Sequence, residues 1–191
     1  RCESAVFKIS QIVDNIKKIE AMKSGKVKLQ NTLTSVFEIC DQIEEYTFPL
    51  LQEKQISLRM VKPEQDISIF CDSELIQTQI VGNLLSNAIK FSVNESTVEL
   101  TVKVLGDRLL IEVKDSGKGI SQKDLPFIFS ADRPTTSLGT AGERGTGFGL
   151  PIVMSVIEIL GGNIQVESRS AVDGFDKTGT IFKINIPVRL K

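Results

Sequence analysis

With 191 residues, 41% of them hydrophobic, the chain is long enough for one full domain plus an appendage and apolar enough to bury a core. Its 23 Lys and Arg against 24 Asp and Glu leave a net charge of −1, so no basic excess drives nucleic-acid binding. The absence of histidine removes His-activated nucleophiles, His general bases and His-containing zinc sites together. Cys2, Cys40 and Cys71 are odd in number and form no C-x-x-C pair, so they read as reduced cysteines of a cytosolic protein rather than a disulfide framework. No apolar run reaches the roughly 20 residues of a membrane span, and Arg1 opens onto an amphipathic pattern rather than a signal peptide. The expectation is a soluble, cytoplasmic module, with a membrane anchor elsewhere in a longer protein left open.

In chain order, residues 1–23 carry Val6, Ile9, Ile12 or Val13, Ile16 and Ile19 at helical spacing and stop at Ser24-Gly25. A short extended piece, Val27–Gln30, leads to a helix from about Leu33 to Lys54 with Thr32 as candidate N-cap. Two β-like runs follow, Ile56–Val61 and Ile67–Cys71, joined around Lys62-Pro63-Glu64. Asp72 then reads as the cap of a helix reaching about Phe91. Val98–Leu105 and Arg108–Lys114 alternate around Gly106-Asp107 as an antiparallel hairpin. Residues 116–147 are rich in Gly, Ser, Thr and Pro and too long for a plain connector, with Ser121-x-x-Asp124 able to cap one short turn. A helix from about Phe148 to Leu160 ends at Gly161-Gly162, and strands Ile164–Ser168 and Gly179–Pro187 flank a polar turn at 171–178. Strands grouped in antiparallel pairs with helices between them predict an α+β two-layer sandwich with a mixed, mostly antiparallel sheet and a helix in front of it.

Three segments carry chemistry. Asn83, Asn87 and Lys90 stand at i, i+4 and i+7, so one helix edge presents two carboxamides and an ammonium, suited to Mg²⁺ and phosphate. Asp115-Ser116-Gly117-Lys118-Gly119-Ile120 follows directly on a strand; its carboxylate can accept an exocyclic amine, and its glycines let a ligand lie against the backbone. Gly145-Thr146-Gly147-Phe148-Gly149-Leu150 opens a helix whose free N–H groups favour an anion. There is neither a βαβ context nor a Walker pattern, so a dinucleotide-binding fold or a P-loop is not indicated. Taken singly, each segment also reads as a polar stripe or a tight turn.

In this order and spacing the segments resemble the GHKL superfamily and, within it, the sensor histidine kinases, over roughly residues 28–190. Asn83-x-x-x-Asn87-Ala88-x-Lys90-Phe91-Ser92 is similar to the N box of that family, and the two glycine segments resemble its glycine boxes. Gly179-Thr180-x-Phe182 resembles its small final box. The resemblance implies that residues 26–191 form the catalytic ATP-binding domain, with a lid at about 127–146. It implies Mg²⁺ on Asn87, with Asn83 and Lys90 at the phosphates, Phe91 near adenine and ribose, and Asp115 on the adenine amine. Gly117, Gly119, Ile120, Phe129 and Thr180 would complete the nucleotide pocket, and Gly145, Thr146, Gly147, Phe148, Gly149 and Leu150 would hold the phosphates. Arg144 or Arg133 would reach the γ-phosphate.

Residues 1–25 resemble the end of the dimerisation and histidine-phosphotransfer hairpin. The acceptor histidine then belongs to a segment absent from this chain, the full-length protein is a homodimer, and a response regulator receiver domain is the downstream partner. Two departures from the pattern stand out. Phe127-Ile128-Phe129 runs into Ser130-Ala131-Asp132 where the family has another aromatic, and Pro151 follows Leu150 inside the last helix. The alternatives are a catalytically degenerate nucleotide-binding module, or an ATPase of the topoisomerase, mismatch-repair or chaperone kind. The latter use glutamate where this chain has Asn83.

Overall fold

Where apolar residues alternate along the chain, strands form, and the faces they bury decide the architecture. The structure, a computed structural model, describes residues 13, 14, 17, 20, 21, 24, 25, 28–133, 137–143 and 145–191. Val13, Asp14, Lys17, Glu20 and Ala21 are helical and a turn follows at Ser24-Gly25, where the spacing predicts both. Cys2 lies outside the described residues.

Strand β1 (Thr32–Ser35) precedes helix α1 (Val36–Glu53). This corrects Thr32 as the N-cap: Thr32 pairs with Cys71 in an antiparallel ladder. The cap is Ser35, in extended backbone, whose Oγ accepts the Glu38 N–H at 3.1 Å. The β-branched Thr32 and Thr34 favour the strand. Asp66 then fixes its end, accepting from Ser35 Oγ at 2.7 Å and from the Phe37 amide at 3.1 Å.

β2 (Ser57–Val61) and β3 (Ser68–Cys71) are neighbours in sequence but enter different sheets. β3 lies between β1 and the terminal β8 (Arg189–Leu190) in a three-stranded sheet. β2 pairs in parallel with β4 (Thr97–Leu105) at the edge of a five-stranded sheet of order β2-β4-β5-β7-β6. There β5 is Arg108–Asp115, β6 Asn163–Arg169 and β7 Gly179–Pro187, all paired antiparallel. The expected grouping into antiparallel pairs is therefore corrected for β2 and β3, while the mixed, mostly antiparallel sandwich stands.

One face of the large sheet is apolar. Val98, Leu100 and Val102, Leu109, Ile111 and Val113, and Phe182, Ile184 and Ile186 alternate inward along three strands and are buried. Glu99, Glu112 and Lys183 take the outward positions, as in a sheet with one wet side. The buried face packs against α2 (Gly82–Phe91) and α3 (Gly149–Ile159) through Leu84, Leu85, Val153 and Ile157. Asp72 does start the helical run, its Oδ1 accepting the Leu75 amide at 3.1 Å. Between it and α2, Leu75–Val81 is π-helical, a widening that the apolar spacing does not announce. Pro151 falls in the first turn of α3, where an amide has no intrahelical acceptor, so the helix forms unhindered.

Leu84 is fully buried between the layers. Leu84→Ala is expected to lower unfolding free energy by about 2–5 kcal/mol, read as a shifted denaturant midpoint with unchanged slope. Burial pushes the free thiols of Cys40 and Cys71 up to about 11, so both stay protonated at neutral pH. Among the described residues, no helix is long and apolar enough to cross a membrane.

Candidate functional site

A cavity of about 990 Å³ runs along α2, past the end of β5, to the start of α3. At 3.6 residues per turn the packing of Leu84, Leu85 and Ala88 against the sheet turns Asn83, Asn87 and Lys90 toward this cavity, and all three line it. Asn83 Nδ2 donates to the Gln79 carbonyl at 2.7 Å, which leaves its Oδ1 facing α3. The approach there is close: a Cβ on Gly149 would stand 3.0 Å from that oxygen. The Asn87 carboxamide has no hydrogen-bond partner among the described residues and is free to take a ligand. Burial pushes the Lys90 ammonium below the ordinary lysine value; Glu143 opposes this, and Lys118 and Lys54 add to it. Two cations stand over the Phe91 ring, Lys90 Nζ at 4.5 Å and Lys118 Nζ at 4.7 Å from its centre.

At the other end, Asp115 is the last residue of β5 and is buried. Its Oδ1 accepts the Gly117 amide at 2.8 Å and the Thr180 amide at 3.2 Å, leaving Oδ2 for a ligand. Burial raises its carboxyl from 3.8 to about 6, against the pull of those two amides. Asp115, Thr180 and Ser168 stand in register across β5, β7 and β6. Ser168 Oγ accepts the Ile120 amide at 2.8 Å and pairs with Thr180 Oγ1 at 3.0 Å. Gly119 has φ +71 and its would-be Cβ runs into the Arg169 carbonyl, so only glycine fits.

Of the expected residues, Asn83, Asn87, Lys90, Phe91, Asp115, Gly119, Ile120, Gly145, Thr146, Gly147, Gly149, Leu150 and Thr180 line one cavity. Gly117, Phe129 and Phe148 do not. Phe148 is buried, and Phe129 packs against the core. Just after the 3-10 turn Leu125–Phe127, Ile128 reaches the cavity in place of Phe129. The Arg133 guanidinium stacks over the Phe127 ring at 4.1 Å, away from the cavity. Arg144 lies outside the described residues. Sequence reasoning missed Lys54, Ser168, Ser170–Val172 and Glu143. Lys54, Glu143 and Ser168 act through partners remote in sequence, and none of the missed residues stands in a spacing that distinguishes it from a solvated polar residue. Carboxylate and backbone at one end, with carboxamides, ammonium groups and a helix N-terminus at the other, suit a polar ring carrying a polyanion.

Residues 72–190 match the family described as histidine kinase-, DNA gyrase B- and HSP90-like ATPases. The chain belongs to that family. As one of these ATPases it has ATP as its ligand, and the cavity lies within the matched span except for Leu50, Glu53 and Lys54 on α1. The sensor protein KdpD of Clostridium acetobutylicum is 31% identical over 180 residues, which make up 94% of this chain and 19% of that protein. This ATPase-family chain thus spans about a fifth of the length of the curated relatives it matches. Among solved structures, the histidine kinase AdeS of Acinetobacter baumannii superposes with TM-score 0.73 at 20% identity, covering 95% of this chain and 79% of that one. Full-length ShkA, solved in complex with AMPPNP, superposes with TM-score 0.77 at 22% identity, covering 95% of this chain and 36% of that one. Both share the ATPase-family fold seen here.

Proposed function

We propose that this chain is the ATP-binding catalytic module of a two-component sensor histidine kinase, passing the γ-phosphoryl group of Mg·ATP to a histidine on a separate segment. The observation that carries the reading is convergence: the Asn helix, the Asp115 turn and the Gly145–Leu150 loop line one cavity although they are far apart in sequence. Asp115 Oδ2 accepts the adenine amine, and the backbone at Gly119 and Ile120 lies against the ring. Lys90 and the amides opening α3 hold the phosphates.

Asn87 is the residue suited to Mg²⁺: its carboxamide oxygen is a hard neutral ligand, and the side chain lines the cavity and makes no hydrogen bond among the described residues. When bound, the ion supplies neutralisation of the charge that builds on the phosphates. The protein's own part is positioning and charge stabilisation. The acceptor imidazole nitrogen attacks the γ-phosphorus, the bond to the bridging oxygen breaks, and ADP leaves with that electron pair. Asn83 stands where a water-activating glutamate would serve the hydrolytic alternative, and a carboxamide is no general base.

In this reading residues 1–25 end a dimerisation and phosphotransfer hairpin. The histidine-bearing domain of the same or a paired kinase is the first partner and a receiver domain the second. Mixed with a histidine-bearing hairpin fragment and labelled ATP, the chain is expected to transfer acid-labile, base-stable phosphate to the fragment and none to itself. Steady ATP hydrolysis without an acceptor would favour the hydrolytic class, and ATP binding without transfer would favour the degenerate one.

A further inference from the structure

Lys54, at the C-terminal end of α1, is a charged residue that is only 6% exposed. Its Nζ reaches five acceptors. Three are the carbonyls that close α2: Ile89 at 2.9 Å, Lys90 at 2.7 Å and Ser92 at 3.1 Å. Two belong to the segment 137–143: Thr140 Oγ1 at 2.7 Å and Glu143 Oε1 at 2.7 Å. An ammonium has three N–H groups. The three carbonyls are therefore already a full set, and they lie at the negative end of the α2 dipole, where a cation is favoured. Thr140 and Glu143 come in addition to that set. Their bonds can break with every N–H of the ammonium still hydrogen-bonded to a carbonyl.

The same segment grips the helix end at further points. The Thr140 amide donates to the Lys90 carbonyl at 3.1 Å, and Thr140 Oγ1 donates to the Ser92 carbonyl at 2.5 Å. Glu143 also closes the segment's own turn, its Oε2 accepting the Ala141 amide at 2.8 Å and its carbonyl the Gly139 amide at 2.9 Å. Just upstream, Lys90 Nζ donates to the Ser137 carbonyl at 3.2 Å, and Lys118 Nζ donates to the Leu138 carbonyl at 2.7 Å. Downstream, Gly145 comes so near Lys90 that a Cβ there would stand 2.7 Å from Nζ. The position of 137–143 thus bears on where Lys90 and Lys118 point.

We infer that Lys54 is a positioning residue: through Glu143 and Thr140 it registers the segment 137–143 on the end of the Asn helix and so sets the phosphate end of the cavity. The contact stands on geometry alone; its consequence for ATP rests on the function proposed above. Two measurements on the whole chain keep these separate, amide hydrogen exchange without nucleotide, and calorimetry with ATP and with adenosine.

In Glu143→Gln and in Thr140→Val, the amides of 139–142 are expected to exchange about fivefold faster than in the wild type. Each variant should bind ATP about fivefold more weakly and adenosine unchanged, since adenosine has no phosphates to place. Lys54→Met should give larger changes of the same kind, and adding Glu143→Gln to it should change exchange no further, the non-additivity of residues acting as one unit. Should Lys54→Met fail to fold, the two segment variants still decide. Unchanged exchange in both, or effects of Lys54→Met and Glu143→Gln that simply add, would overturn the inference. Altered exchange in a wild-type background that binds no ATP would leave the registration standing and sink the nucleotide reading instead.

Discussion

Asp115→Asn is expected to weaken ATP binding about 100-fold while the module stays folded. The amide keeps an Oδ1 that can accept from Gly117 and Thr180, at 2.8 and 3.2 Å in the parent, so the turn need not open. The other position becomes an NH₂ group. Facing the adenine amine it sets donor against donor in a buried site, and both lose their partner. Inosine triphosphate, which carries a carbonyl where adenine carries the amine, should lose far less and recover most of the gap to ATP in the variant. Calorimetry with the two nucleotides checks this. Equal losses for both would place the base elsewhere.

The raised carboxyl of Asp115 adds a pH signature. Its folded value of about 6 lies above the ordinary 3.8, so the folded state holds this proton more tightly than the unfolded one. The group therefore contributes stability that is fully present below 3.8 and lost as pH rises through about 6. Binding runs the opposite way, because the amine needs an ionised acceptor: affinity for adenosine should fall as pH drops through about 6. In Asp115→Asn that slope should vanish. Adenosine is the right probe, since it has no phosphate titrating in the same range.

Much of this was legible in the sequence because it depends on local spacing. The i, i+4, i+7 edge of α2, the glycines opening α3 and the Asp at the end of β5 are short-range patterns, and the cavity collects all of them. What was not legible depends on partners distant in the chain. β2 and β3 read alike as short extended runs, and nothing in either says that one joins β4 in parallel while the other joins β1 and β8. Ser35 outranks Thr32 as a cap because Asp66 arrives from elsewhere to hold it. Lys54 ends an amphipathic helix, where a charge is ordinarily solvated. Its burial follows only once α2 and the segment 137–143 meet there. Phe129 comes from the resemblance rather than from local spacing, and its neighbour Ile128 lines the cavity instead.

Asn87→Ala is expected to reduce ATP affinity measured with Mg²⁺ to the level measured with the metal chelated, a loss of roughly 10- to 100-fold, with adenosine binding untouched. Stability should change little, since the carboxamide makes no hydrogen bond among the described residues and alanine is the better helix former by a few tenths of a kcal/mol. Asn83→Ala is the instructive contrast. It also removes the 2.7 Å bond to the Gln79 carbonyl and the oxygen facing Gly149, so it should cost affinity in both metal conditions and about 1 kcal/mol of stability besides. The two asparagines share a residue type, a helix edge and a cavity, and only their hydrogen bonds separate them. If Asn87→Ala kept a metal-dependent affinity and Asn83→Ala lost it, the metal would belong to Asn83, and its bond to Gln79 would orient a ligand rather than tie down the helix.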